Sequence, residues 1–167
     1  MIYDPVDVKE PLRQGDVFVG LPRIDISLDS VLLVDESGER QVSWKDIHLS
    51  QDPITAIVPI RSVAAIVATQ DCDAGRSPDI TLCEIRNFKD VEGKSRDTTK
   101  AKAWKNILTQ HARINQKWFY PPPDASVGFA EKMAADFLVT IRLPRKDLEN
   151  LGVHYYKNHR VYKKHLI

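Results

Sequence analysis

The chain has 167 residues, of which 43% are hydrophobic and 28% charged, the size and make-up of one soluble globular domain that buries its own core. These figures exclude a disordered chain, a collagen-like repeat, a coiled coil and a cysteine-rich secreted scaffold. Lys and Arg number 24 against 23 Asp and Glu, a net charge of +1. The halves differ: residues 1–84 carry 7 basic and 15 acidic side chains, a net of −8, and residues 85–167 carry 17 and 8, a net of +9. Such asymmetry marks either a surface for nucleic acid or an acidic partner, or two ends that neutralise each other within one fold.

The first half reads as successive strands. Leu12–Gly20 alternates around Val17 and Val19 and is bounded by Pro11 and Pro22. Ser30–Asp35 and Glu39–Trp44 flank Glu36-Ser37-Gly38, a hairpin signature. Ile54–Ile60 and Val63–Thr69 are continuous Val/Ile/Ala runs of the kind found in strands buried on both faces. Ile80–Ile85 follows a turn over Ala74-Gly75-Arg76-Ser77-Pro78. A hairpin turning near Gly75 and Arg76 would set Cys72 opposite Asp79 and Cys83 opposite Ala68, too far apart for a disulfide. Two free thiols suit a reducing compartment. With neither a signal-like start nor a membrane-length apolar run, the expected location is the cytoplasm.

After Asn87 the character changes. Residues 87–99 read as a polar surface loop. Thr98 or Thr99 can cap a helix running to Arg113, with Ala101, Trp104, Ile107, Leu108 and His111 on one stripe. Gln116–Tyr120 and Ala135–Arg142 read as strands, and Pro144 can open a short helix to Leu151. Asn158–Ile167 has the pattern of a basic amphipathic helix. The expected architecture is α+β in a single domain, residues 1–167. Residues 1–86 would form a small, strongly curved β-barrel, and 87–167 would pack a few helices and further strands on it.

Chemistry concentrates at Thr69-Gln70-Asp71-Cys72-Asp73, the polar end of an apolar strand. Cys72 is a candidate nucleophile if a basic group from the second half faces it, because its flanking carboxylates oppose thiolate formation. Asp16, Asp71 and Asp73 could gather Mg²⁺ or Mn²⁺ from separate strands. The plainer alternative has Asp71 and Asp73 capping the turn 74–78, with Cys72 packed as a small apolar residue. Gly15 permits a bulge, and Asp16 could accept amide hydrogen bonds there. The five histidines show no metal-ligand spacing, and no phosphate loop or dinucleotide fingerprint is present, so zinc, nucleotide and flavin are not expected. In the basic half, Lys100, Lys102, Lys105, Arg113 and Lys117 lie among aromatics that include Trp118 and Tyr120. That mixture suits nucleic acid or a partner protein. An acidic protein partner would use these features as well as nucleic acid would, a homodimer is allowed, and no membrane partner is expected.

Gln14-Gly15-Asp16 at the first strand, together with Thr69-Gln70-Asp71-Cys72-Asp73, resembles small uncharacterised bacterial proteins, some of which travel with mobile-element or phage-defence loci. Phe119-Tyr120-Pro121, Ala135-Asp136-Phe137 and the basic end around Arg160 fit the same pattern. More remotely, the chain is similar to the MazF/PemK-type ribonuclease toxins of toxin–antitoxin pairs. That resemblance implies an SH3-like barrel and a ribonuclease site using Arg61 and Thr69, with Ser62 standing where that family has a proline. The two expectations are therefore an accessory binding module, or a ribonuclease or metal-dependent hydrolase around Asp71, Cys72 and Asp73.

Overall fold

The structure, a computed structural model, describes residues 3–5, 10–88, 105, 118–125, 128–129, 132–150 and 155–158, with 3–5 and 155–158 as backbone alone. It is α+β, and the described strand pairings are antiparallel. The chain divides into two compact units, residues 22–62 and the remainder.

The larger unit is built on a seven-stranded sheet of order β1-β10-β2-β6-β7-β9-β8. Its strands are β1 (Tyr3–Pro5), β2 (Val17–Ile24), β6 (Ile60–Val67), β7 (Asp79–Asn87), β8 (Trp118–Phe119), β9 (Met133–Pro144) and β10 (Tyr155–Asn158). The aliphatic run at 63–67 thus becomes the middle strand, where both faces are covered. Val63, Ala65 and Val67 pack with Leu12, Phe18, Leu21, Ile80, Leu82 and Ile141 on one face. Ile66 packs with Val17, Cys83, Ile85, Phe119 and Phe129 on the other. A helical turn, α2 (Asp71–Ala74), joins β6 to β7, and α3 (Arg145–Asn150) follows directly from Pro144. Leu148 of α3 completes the first cluster.

The register differs from the sequence expectation because residues 71–74 wind into a helical turn instead of extending the strand. Cys83 therefore faces Ile66, not Ala68. Both cysteines are free, Cys72 exposed and Cys83 buried. Strand β2 begins only at Val17 and runs on through Pro22. Asn158, expected to open a terminal helix, belongs to β10; the rest of that segment, like the helix expected over 98–113 apart from the helical Lys105, lies outside the described residues. Among the described residues no pairing joins β1 to β8, so the sheet is open as described.

The smaller unit is a three-stranded sheet of order β4-β3-β5: β3 (Val31–Asp35), β4 (Gly38–Val42) and β5 (Ala56–Ile57). Its hairpin turns where the sequence predicts, Asp35 pairing with Gly38 at φ 111°, a backbone angle suited to glycine. The Ser37 hydroxyl, and after it the Arg40 guanidinium, hold the Asp35 carboxyl below its ordinary range. Trp44 opens a helical turn, α1 (Trp44–Ile47), instead of ending a strand, because the Ser43 hydroxyl accepts the Lys45 N–H and caps it. The apolar run 54–60 is not a buried strand. Only Ala56–Ile57 form a strand within it, Ile60 opens β6, and Ile54, Ile57 and Ile60 are exposed.

No described helix is long and apolar enough to cross a membrane.

Candidate functional site

The two segments singled out in the sequence meet at the end of β6. Gly15 N–H donates to Val67 O at 2.7 Å, and Val67 N–H donates to Asp16 O at 2.9 Å. Gly15 sits at φ 73°, in the left-handed region that glycine enters without strain. The Arg13 N–H donates to Asp16 Oδ2 at 2.6 Å, closing a turn beneath an almost wholly buried carboxylate. Gln14 N–H then donates to Asp71 Oδ1 at 2.7 Å, tying the segment that leads into β2 to α2. Gln70, Asp71 and Cys72 are exposed there. The middle strand does deliver a polar tip to an accessible edge.

What the tip can do follows from its partners. Thr69 Oγ1 accepts from Thr81 N–H at 2.8 Å, a stitch between β6 and β7. Asp73 holds Arg76 at 2.7 Å. Neither aspartate side chain caps the turn 74–78, since the amide Asp71 captures belongs to residue 14. Cys72 Sγ lies 3.8 Å from Gln70 Oε1. The three expected metal-binding aspartates are not drawn together among the described residues. Asp16, Asp71 and Asp73 each face a different partner, and no group of three or more metal-ligating side chains is gathered among the described residues. Arg61 belongs to the smaller unit, where it donates to Asp25 at 2.6 Å and, ahead of Arg23, holds that carboxyl below its ordinary range. Asp71→Ala removes the acceptor of the Gln14 amide and is expected to cost about 1 kcal/mol, a typical net hydrogen-bond contribution, read from the urea midpoint.

A second polar group lies inside the larger unit and was not anticipated. Glu84 on β7 and Asp136 on β9 are buried at 2% and 3% exposure. Asp136 Oδ2 accepts from Arg86 at 3.3 Å, and its Oδ1 accepts from Leu138 N–H at 2.9 Å. Alternation along Ala135–Arg142 puts Asp136 on the outward side. It is buried because β8 pairs over it, Trp118 standing opposite. No local signal announces that pairing.

Burial, with the Asp136 charge second, pushes the neighbouring Cys83 thiol up to about 11. The fold therefore favours the neutral thiol. Its contribution is complete below about pH 9, the unfolded value, and is lost as pH rises towards about 11. The fall in stability across that window is expected to be shallower in Cys83→Ala than in the parent, read from urea titrations. A disulfide reagent at pH 8 is expected to modify Cys72 alone in the native protein and both thiols in urea.

The basic, aromatic segment is only partly described. Lys100, Lys102, Arg113 and Lys117 lie outside the described residues, and Lys105 is exposed. Trp118 and Tyr120 are not an open stacking platform. Trp118 is buried, and both rings pack edge-on against Phe88, with centroids at 5.9 and 5.7 Å. Burial pushes the Tyr120 phenol well above its ordinary range.

The smaller unit inverts the usual hydrophobic pattern. Of the ten large hydrophobic side chains exposed among the described residues, nine fall within residues 22–62. They include Ile26 at 67%, Leu49 at 82% and Ile60 at 64% exposure. Only Val31 and Leu33 of this unit are buried hydrophobics. The sequence signal was present in the Ile/Leu content of 22–62, but it reads as ordinary core.

No family model, curated protein or solved structure matches the chain.

Proposed function

We propose that this chain is an accessory binding module that docks a partner protein through residues 22–62. One observation carries this reading. A unit of that size with nine large apolar side chains exposed and only two buried has little core of its own making, and exposed apolar side chains concentrated in one segment are the raw material of an interaction surface. A partner's side chains would supply what the unit lacks. The resemblance to proteins travelling with mobile-element or defence loci suits a chain that works alongside others. An SH3-like closure of the sheet is part of the proposal and rests on the register break between Cys83 and Ile85, the kind of irregularity at which sheets coil.

An apolar fluorescent dye is expected to brighten on the native protein and to lose part of that signal in Ile26→Ser/Leu49→Ser, with the urea midpoint little changed, since both side chains are exposed. Equal brightening of parent and variant would sink the docking surface. Salt-sensitive binding of RNA or DNA in place of dye binding would transfer the role to the basic half.

The competing reading is a MazF/PemK-like ribonuclease or a metal-dependent hydrolase, favoured by the exposure of Gln70, Asp71 and Cys72 at the strand tip. RNA incubated with the protein, with and without Mg²⁺ or Mn²⁺, is expected to stay intact. Cleavage abolished by Thr69→Val or Asp71→Ala would establish this reading instead.

A further inference from the structure

We infer that the open face of the β4-β3-β5 sheet takes a basic, apolar segment of a partner protein. The inference rests on the docking role proposed for residues 22–62 and adds the chemistry of what docks.

The register defines the face. Leu32 stands opposite Ile57 on one side and Gln41 on the other, and Val34 stands opposite Glu39. Side chains two apart on a strand share a face, so Leu32, Val34 and Ile57 form one apolar strip bordered by Gln41 and Glu39. Val31 and Leu33, the unit's buried hydrophobics, belong to the opposite face. Val34 and Ile57 are 37% and 49% exposed, so the strip is open.

Charge selects the occupant. Residues 22–62 carry four basic and seven acidic side chains, a net of −3. Three of the four cations are engaged inside the unit, Arg23 and Arg61 by Asp25 and Arg40 by Asp35. The unit's balance is therefore acidic, and the one charged residue that the register sets beside the strip, Glu39, is acidic too. A second copy would bring another acidic unit against this one, whereas Lys or Arg beside apolar residues meets both the strip and Glu39.

The test titrates the full chain with two synthetic amphipathic peptides of equal length, one of Leu and Lys and one of Leu and Glu. The Leu/Lys peptide is expected to bind roughly tenfold or more tightly, a preference of about 1.4 kcal/mol that shrinks with added salt. Val34→Ser/Ile57→Ser should abolish its binding, and Glu39→Lys, which leaves the apolar strip intact, should narrow the preference. Equal affinity for both peptides would overturn the charge selection while leaving the docking surface standing. Binding of neither would remove the docking role as well. A preference that survives Val34→Ser/Ile57→Ser would place the contact elsewhere and overturn the inference. So would a concentration-dependent doubling of mass abolished by the same pair, which would assign the strip to a second copy.

Discussion

Phe88→Ala is expected to be the most destabilising truncation described here, costing about 3–5 kcal/mol of unfolding free energy, the range for emptying a buried aromatic site. Phe88 is fully buried directly after β7, and its N–H donates to Lys132 O at 2.8 Å, so the backbone around the emptied site is held in place and resists closing over it. Trp118 and Tyr120 both meet it edge-on, at interplanar angles of 86° and 64°. Each such pair adds about 0.5–1.5 kcal/mol beyond area burial, so the loss should fall in the upper part of the range. Single domains hold only about 5–15 kcal/mol in total. Urea denaturation should therefore show a midpoint lowered by a large fraction. Leu138→Ala, at a position 71% exposed, should leave it nearly unmoved. A Phe88→Ala protein as stable as its parent would mean that the three rings do not form one packed unit.

Asp136→Ala is expected to cost about 3 kcal/mol, the low end for removing one partner of a buried ion pair. The low end applies because Arg86 keeps 32% of its side chain in water while Asp136 keeps 5%. Two bonds are lost, from Arg86 and from Leu138 N–H, and the guanidinium is left facing a cavity. Asp136→Asn retains an acceptor for Leu138 and should lose only about 1–2 kcal/mol, the charged part of the interaction. The contrast between the two variants, read from urea midpoints at neutral pH, separates the hydrogen bonds from the charge. If both are within 0.5 kcal/mol of the parent, the outer range for surface substitutions, the carboxylate is not a structural group.

The residues that were legible in advance share one property: their signal is local. Gly38 announces the hairpin because its left-handed backbone angle is set within the turn. Pro144 announces α3 because its ring excludes a continued ladder while suiting the residue before a helix. The run 63–67 announces a doubly covered strand because side chains on both faces are apolar. Gln14-Gly15-Asp16 and Thr69-Gln70-Asp71 were legible as polar interruptions at strand ends, though not as partners, since the Gln14–Asp71 bond spans 57 residues.

The misreadings share the opposite property. Ile54–Ile60 has the composition of a buried strand, yet it splits between the two-residue β5 and the first residue of β6, and three isoleucines face water, because burial depends on what comes to cover a side chain. Asp136 has the place of a surface residue in an alternating strand and is buried by a short strand that follows Phe88 by some thirty residues. Trp118 and Tyr120 have the composition of a binding platform and are turned inward by Phe88. Local signals sufficed for the hairpin at Gly38, the helix after Pro144 and the doubly covered run 63–67, where backbone angles and side-chain alternation act within a few residues. Only the tertiary structure decided which faces are dry, because a side chain's exposure is fixed by neighbours that the chain brings from far away.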